Sequence, residues 1–225
     1  MWEKHLASQL LWRVEPLFAN GLFQYPSKRP PEYRAPTFSW ASVDSETGIT
    51  YGEITDQDLL IRVKKVEVTP ETDEFGLVRD GYVLLIGSLK RIEIEELMIN
   101  KSKRYGWRLR DANKSLCNSE GSRYTNVYLD NPSNNSSILG SDSNVYCLPA
   151  AWDSTEGSGR YLICILLQFV EQNGDRPSAF KRIGLTKVAR RREDQEAILE
   201  DSGAVRHMPH CYWDEEAGGH TIRII

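Results

Sequence analysis

The chain has 225 residues, enough for one large domain whose core buries roughly 70% of the unfolded surface without help from a metal or disulfide. Its 28 basic and 32 acidic residues leave a net charge of −4, which speaks against a general nucleic-acid binder, since such a protein carries a basic stripe. No apolar run reaches the roughly 18 to 20 residues of a membrane-spanning helix, and the N-terminus "MWEKHLASQLLW" lacks the pattern of a signal peptide. A soluble cytoplasmic protein is the expectation, with no nucleic acid and no membrane among its partners. The dispersed cysteines Cys117, Cys147, Cys164 and Cys211 are then free thiols, mostly buried.

In chain order, residues 2–13 place Trp2, Leu6, Gln9, Leu10 and Arg13 on one face, an amphipathic helix pattern. Pro16, Asn20, Gly21, Pro26, Pro30 and Pro31 predict irregular chain up to about residue 33, so that residues 1–32 form a helix with a Pro-rich connector. A single antiparallel β domain is expected over 33–225. It begins at "YRAPTFSWASVD" (Tyr33–Asp44), where Phe38 and Trp40 alternate with Ser39 and Ala41. That period predicts a strand that starts at Pro36, with Trp40 as a core anchor.

Further strands are expected at Ile49–Ile54, Leu59–Val68, from Gly81 through "YVLLIGSLKRIEI" with a bend at Gly87, at "YGWRLR", and at "YTNVYL". Pro70–Asp80, with Gly76, reads as a loop, and the polar stretch Asp130–Asn144 as a loop outside the core. "VYCLPAAW", "YLICILLQFVEQ", "FKRIGLTKVA" and the terminal "HTIRII" complete the strands, with a turn at Asn173–Asp175. "REDQEAILED" is a short C-terminal helix closed by Gly203. Short strands between Gly, Asn and Pro turns predict a mainly β fold, an antiparallel barrel or sandwich with a short N-terminal and a minor C-terminal helix.

Candidate chemistry is sparse. Ser39 and Ser42 lie near Arg34 and Asp44 but lack a G-x-S-x-G elbow, and the histidines His5, His207, His210 and His220 sit at the two ends of the chain. "HMPHC" brings His207, His210 and Cys211 close in sequence, with His220 further on, yet the spacing matches no standard zinc pattern. No phosphate-binding glycine motif occurs. "KRYGWRLR" (Lys103–Arg110) could stack on nucleotides if it lined a groove, but a strand with a basic face accounts for it more simply. Arg190–Arg192, followed at once by acidic residues, reads as a solvated helix face. The residues thus predict no catalytic, cofactor or metal site.

"YRAPTFSWASVD" resembles a segment of fungal heterokaryon incompatibility proteins, whose pattern runs approximately Y-R-A-P-S-W-S-W-A-S-[VL]-D; this chain departs from it at Thr37 and Phe38. "WEKHLASQLLW" and "LWRV" are similar to the family's helix before that segment. "VKKVEVTPETDEFGLVRDGYVLLIGSLK", "FKRIGLTKV" and "TIRII" resemble its later strands, in the same order. The family's N-terminal incompatibility module, a Toll/interleukin-receptor-like α/β domain with the strings A-L-S-Y-x-W-G, I-D-A-x-C-I-N-Q and R-x-W-x-x-Q-E, has no counterpart here. The resemblance therefore implies a non-catalytic C-terminal β domain that supports or regulates self/non-self recognition and cell-death signalling through protein partners. Those partners would be related incompatibility proteins or the N-terminal module. The alternatives are a small-ligand or nucleotide-sensing barrel, rimmed by Lys103–Arg110 and the 130–144 loop, and, last, a hydrolase with an unrecognised site.

Overall fold

The computed structural model describes residues 5–51, 58–71, 78–99, 101–110, 126–133, 135–140, 142–153, 160–170, 179–188, 192–200 and 211–225. They form a mainly β protein with two short helices, α1 (Leu6–Gln9) and α2 (Arg192–Leu199). A small hairpin, β1 (Leu17–Ala19) and β2 (Leu22–Gln24), precedes the main sheet. That sheet contains β3 (Arg62–Pro70), β4 (Val78–Gly87), β5 (Lys90–Ile99), β6 (Ser102–Leu109), β7 (Asn126–Leu129), β8 (Val145–Trp152), β9 (Leu162–Val170), β10 (Ala179–Val188), β11 (Tyr212–Asp214) and β12 (Gly219–Ile224).

The sheet runs β3-β4-β12-β10-β9-β8-β5-β6, with β11 beside β12 and β7 beside β10. Every pairing of these strands is antiparallel except β10 with β12. The sheet curls, because Leu59 and Leu60, just before β3, bridge back to Ala150 and Ala151 of β8. The expected long strand bent at Gly87 is two strands: Ser88 and Leu89 interrupt it, β4 stays beside β12, and β5 crosses to β8.

Strands β8, β9 and β10 are walls shared by two cores. Tyr146, Leu148, Ala150, Ile163, Ile165, Leu167, Phe180 and Leu185 face a cluster closed by Leu6, Ala7, Leu10 and Leu11 from the helical N-terminus. Their neighbours Val145, Cys147, Leu162, Cys164, Leu166 and Val188 face a second cluster, completed by Ile92, Ile94, Trp107 and Ile198 of α2. Burial on both faces explains why "YLICILLQFV" reads as an unbroken apolar run rather than an alternating one. Pro149 is tolerated in β8 because the register shifts between Pro149 and Ala151.

A bulge between Arg182 and Gly184 lets one edge of β10 serve two partners, β12 at Phe180 and β7 at Gly184–Lys187. Glycine is required there, since a Cβ at Gly184 would lie 2.4 Å from the carbonyl oxygen of Tyr128. At the same bulge the Arg182 side chain turns inward and is buried. Its Nη1 donates to both carboxylate oxygens of Asp130, at 2.9 and 3.0 Å, and its Nη2 donates to the carbonyl of Trp12. Its guanidinium lies 3.5 Å from the Trp12 ring centroid. Arg29 adds a second cation, donating through Nη2 to Asp130 at 3.0 Å and to the Arg182 carbonyl at 2.8 Å.

Trp12 itself has no exposed surface and donates from Nε1 to the carbonyl of Phe38 at 2.9 Å. This ring, and not Trp40, is the tryptophan anchor of the N-terminal half. Trp40 is 53% exposed. The predicted strand at Phe38–Ala41 is a turn followed by a 3-10 helix over Trp40–Ser42, which takes Phe38 inward and Trp40 outward.

Three other expectations are corrected. The N-terminal helix is one turn long, because the chain extends from Trp12 onward to bridge Thr50 through Arg13. The stretch expected to be irregular contains the β1–β2 hairpin, whose Asn20 and Gly21 have φ of 53° and 77°, the geometry of a two-residue type I′ turn. The polar 130–144 loop is not outside the core: Asp130, Pro132, Ile138 and Ser143 are buried, and Leu139 bridges Ile94. The end of the predicted Ile49–Ile54 strand, Gly76, the Asn173–Asp175 turn and Gly203 lie outside the described residues.

Two substitutions test this frame. Trp12→Ala removes a fully buried ring and is expected to cost about 3–5 kcal/mol in urea unfolding. Asp130→Asn leaves Arg182 and Arg29 without their carboxylate and is expected to cost about 3–5 kcal/mol as well, whereas a surface change would cost under about 0.5 kcal/mol.

Candidate functional site

The segment Tyr33–Ile49 is fixed from below by the buried network. Arg29 Nη1 donates to the Ser42 hydroxyl at 2.5 Å, and that hydroxyl donates to the Ser39 carbonyl at 2.7 Å. The Ser39 hydroxyl caps the 3-10 turn by accepting from the Ala41 N–H at 3.3 Å. Both serine hydroxyls therefore hold backbone in place. Thr37 N–H donates to the Ile225 carbonyl at 3.0 Å, which ties the segment to the end of β12.

Arg34 closes the loop from above. Its Nε donates to the Ala41 carbonyl at 2.6 Å, Nη2 to the Val43 carbonyl at 3.0 Å, and Nη1 to the Asp44 carboxylate at 2.8 Å. Lys28 and Asp44 exchange backbone hydrogen bonds at 3.0 and 2.8 Å. The result is an open groove of about 790 Å³, lined by Pro26, Lys28, Arg34, Trp40, Ala41, Val43, Asp44, Ser45, Glu46, Gly48 and Ile49. One large ring stands at its rim beside two cations and two carboxylates. An aromatic residue and a pre-oriented arginine are the side-chain types that most often dominate protein–protein binding energy.

Among the described residues, the other sequence candidates form no group that could hold a metal ion. Cys211 is half-buried, and burial pushes its thiol up to about 12. His220 is fully buried; its Nδ1 accepts from the Leu89 N–H at 3.3 Å and its ring meets Trp213 edge-on at 4.9 Å. His207 and His210 lie outside the described residues, as do Cys117 and Arg190–Arg191. His5 stands at the start of α1, far along the chain from the others. Among the described residues no group of three or more His, Cys, Asp or Glu side chains is placed to hold a metal ion.

In "KRYGWRLR" the two rings face inward. Tyr105 and Trp107 are each 3% exposed, and Trp107 Nε1 donates to Thr186 Oγ1 at 3.0 Å. The basic side chains around them pair with acids of β5, Lys103 with Glu96 and Arg108 with Glu93 and Glu95. Cys147 and Cys164 are buried free thiols, and Cys164 is pushed well up by burial and by its hydrogen bond with Cys147.

The sequence places the groove's residues in one segment, but its β spacing suggests the wrong geometry for them. The signal for the right one is the pair Ser39 and Ser42, small hydroxyl residues that favour caps and turns over strands. Searches with this chain return no matching family model, no matching curated protein and no matching solved structure.

Because Trp40 packs outward, Trp40→Ala is expected to change unfolding stability by less than about 0.5 kcal/mol. A loss on the scale expected for Trp12 would show that the ring is structural.

Proposed function

We propose that this chain is a non-catalytic docking domain akin to the C-terminal β region of fungal heterokaryon incompatibility proteins, working in the cytoplasm through a protein partner. The observation that supports it is the groove at Tyr33–Ile49. There the segment that resembles the family most closely spends its serines and Arg34 on holding backbone, and presents Trp40 outward. A side chain that large, exposed on a braced loop, gains most by being covered by another surface. In this reading the curled sheet, drawn toward closure by the Leu59–Ala151 bridge, is a barrel-like scaffold for that loop. The partner is an α/β incompatibility module carrying the strings absent from this chain. Docking restrains or addresses that module.

Titrating a separately expressed incompatibility module into the purified chain is expected to give saturable binding, and Trp40→Ala should weaken it by tenfold or more, about 1.4 kcal/mol. Binding that is absent, or indifferent to Trp40, would sink the docking reading. Expressing the chain alone in a compatible fungal host should leave colonies viable; cell death on expression would overturn the non-catalytic assignment.

A further inference from the structure

Away from the groove, the β1–β2 hairpin projects apolar side chains that its own contacts do not cover. Phe18 is 63% exposed, Leu17 43% and Leu22 41%. The hairpin is not adrift: the Phe23 N–H donates to Ser102 Oγ at 3.1 Å, and Tyr25 donates its hydroxyl to the Lys103 carbonyl at 3.2 Å. It is thereby seated on the start of β6, beside the β5–β6 turn, where Met98 is 68% exposed. Phe18 pairs with Phe23 on one face, ring centroids 5.0 Å apart, while Leu17 and Leu22 belong to the opposite face. Both faces of the tip are therefore apolar.

The base of this tip is cationic. The Arg104 guanidinium lies 4.1 Å from the Phe23 ring centroid, and Lys101 is exposed at the β5–β6 turn. Lys103 follows, held by Glu96 at 2.6 Å. Among the described residues no salt bridge joins Lys101 or Arg104 to a carboxylate.

We propose that the β1–β2 hairpin docks on an anionic phospholipid surface, with Leu17, Phe18 and Leu22 entering the headgroup–acyl boundary and Lys101 and Arg104 facing the lipid phosphates. Shape and area select lipid over a second copy of the chain. The tip is apolar on both faces, so a flat protein surface covers one face only, whereas an interfacial lipid layer closes around both. The exposed apolar side chains amount to on the order of 400 Å², about half of the roughly 800 Å² per partner that a standard protein interface buries. An apolar tip with flanking cations is the combination that binds interfacially, by buried area plus attraction to anionic lipid. This docking departs from the expectation of no membrane partner; no described helix is long and apolar enough to cross a membrane.

Co-sedimentation of the full chain with vesicles of phosphatidylcholine, with and without phosphatidylserine, tests it. Binding is expected to the phosphatidylserine vesicles and to fall as salt rises. Phe18→Ser should lower partitioning about tenfold, Lys101→Glu about fivefold or more, and Phe18→Trp should retain it. Both positions are exposed, so circular dichroism of the variants should match the parent chain. No binding to phosphatidylserine vesicles, equal binding to both compositions, or binding indifferent to Phe18→Ser would overturn the proposal. So would a concentration-dependent dimer abolished by Phe18→Ser, which would give the patch to a second copy.

Discussion

Four residues far apart in the chain meet in one buried cluster, and the N-terminal half depends on it. Arg182 donates to the carboxylate of Asp130 and stacks on the face of Trp12, and Arg29 donates to the same carboxylate, sharing its Oδ2 with Arg182. Burial depresses Arg182 to about 10, and the Asp130 carboxylate only partly opposes that. Asp130 is raised, again chiefly by burial, despite two neighbouring cations. Both directions have the same leading cause, the loss of water, which the mutual attraction of the charges only partly offsets. What the cluster supplies is position. The hydrogen bonds from both guanidinium groups converge in one arrangement of the N-terminal segment, the 130 loop and β10.

From that cluster the groove is assembled by a short relay. Arg29 reaches Ser42, Ser42 reaches Ser39, and Ser39 caps the turn that carries Trp40. Phe38 and Trp12 occupy the interior and are linked by the Trp12 indole donating to the Phe38 carbonyl. With that space filled, the next ring in sequence has nowhere inside to go. Exposure of Trp40 thus follows from packing around Trp12 and does not reflect a loosely held loop.

The sequence was informative where local pattern and tertiary environment agree. Val145–Trp152, Leu162–Val170, Ala179–Val188 and Gly219–Ile224 are strands close to the bounds their branched residues and turn signals suggest. It misled where the decisive contact is remote. Phe38-x-Trp40 has β spacing, but Arg29 and the Trp12 indole bind its backbone and hydroxyls as a turn, over separations of 13 and 26 residues. Asn20–Gly21 was a legible type I′ signal hidden among prolines. Asp130 and Ile138 looked like parts of a polar loop because their contacts are remote, Arg182 lying 52 residues beyond Asp130. Trp12 carried no local mark of its role; its indole partner and its stacking cation come from other segments of the chain.

The two exposed surfaces share one connector. After β2 the chain runs through Tyr25 and Pro26 to Lys28; Tyr25 holds the hairpin to β6, and Pro26 and Lys28 line the groove. Between them Ser27 is buried and its hydroxyl donates to the Leu129 carbonyl at 3.0 Å, beside Asp130. From Leu22 to Lys28 an extended chain spans at most about 20 Å. Lys28, at the groove, therefore lies within about that distance of Leu22 on the hairpin. The connector is pinned at both ends and in the middle, so the two surfaces keep a fixed relation, and in the proposed reading docking at one orients the other. That coupling is geometric: it needs no conformational change, only the buried network that holds residues 25–29 in place.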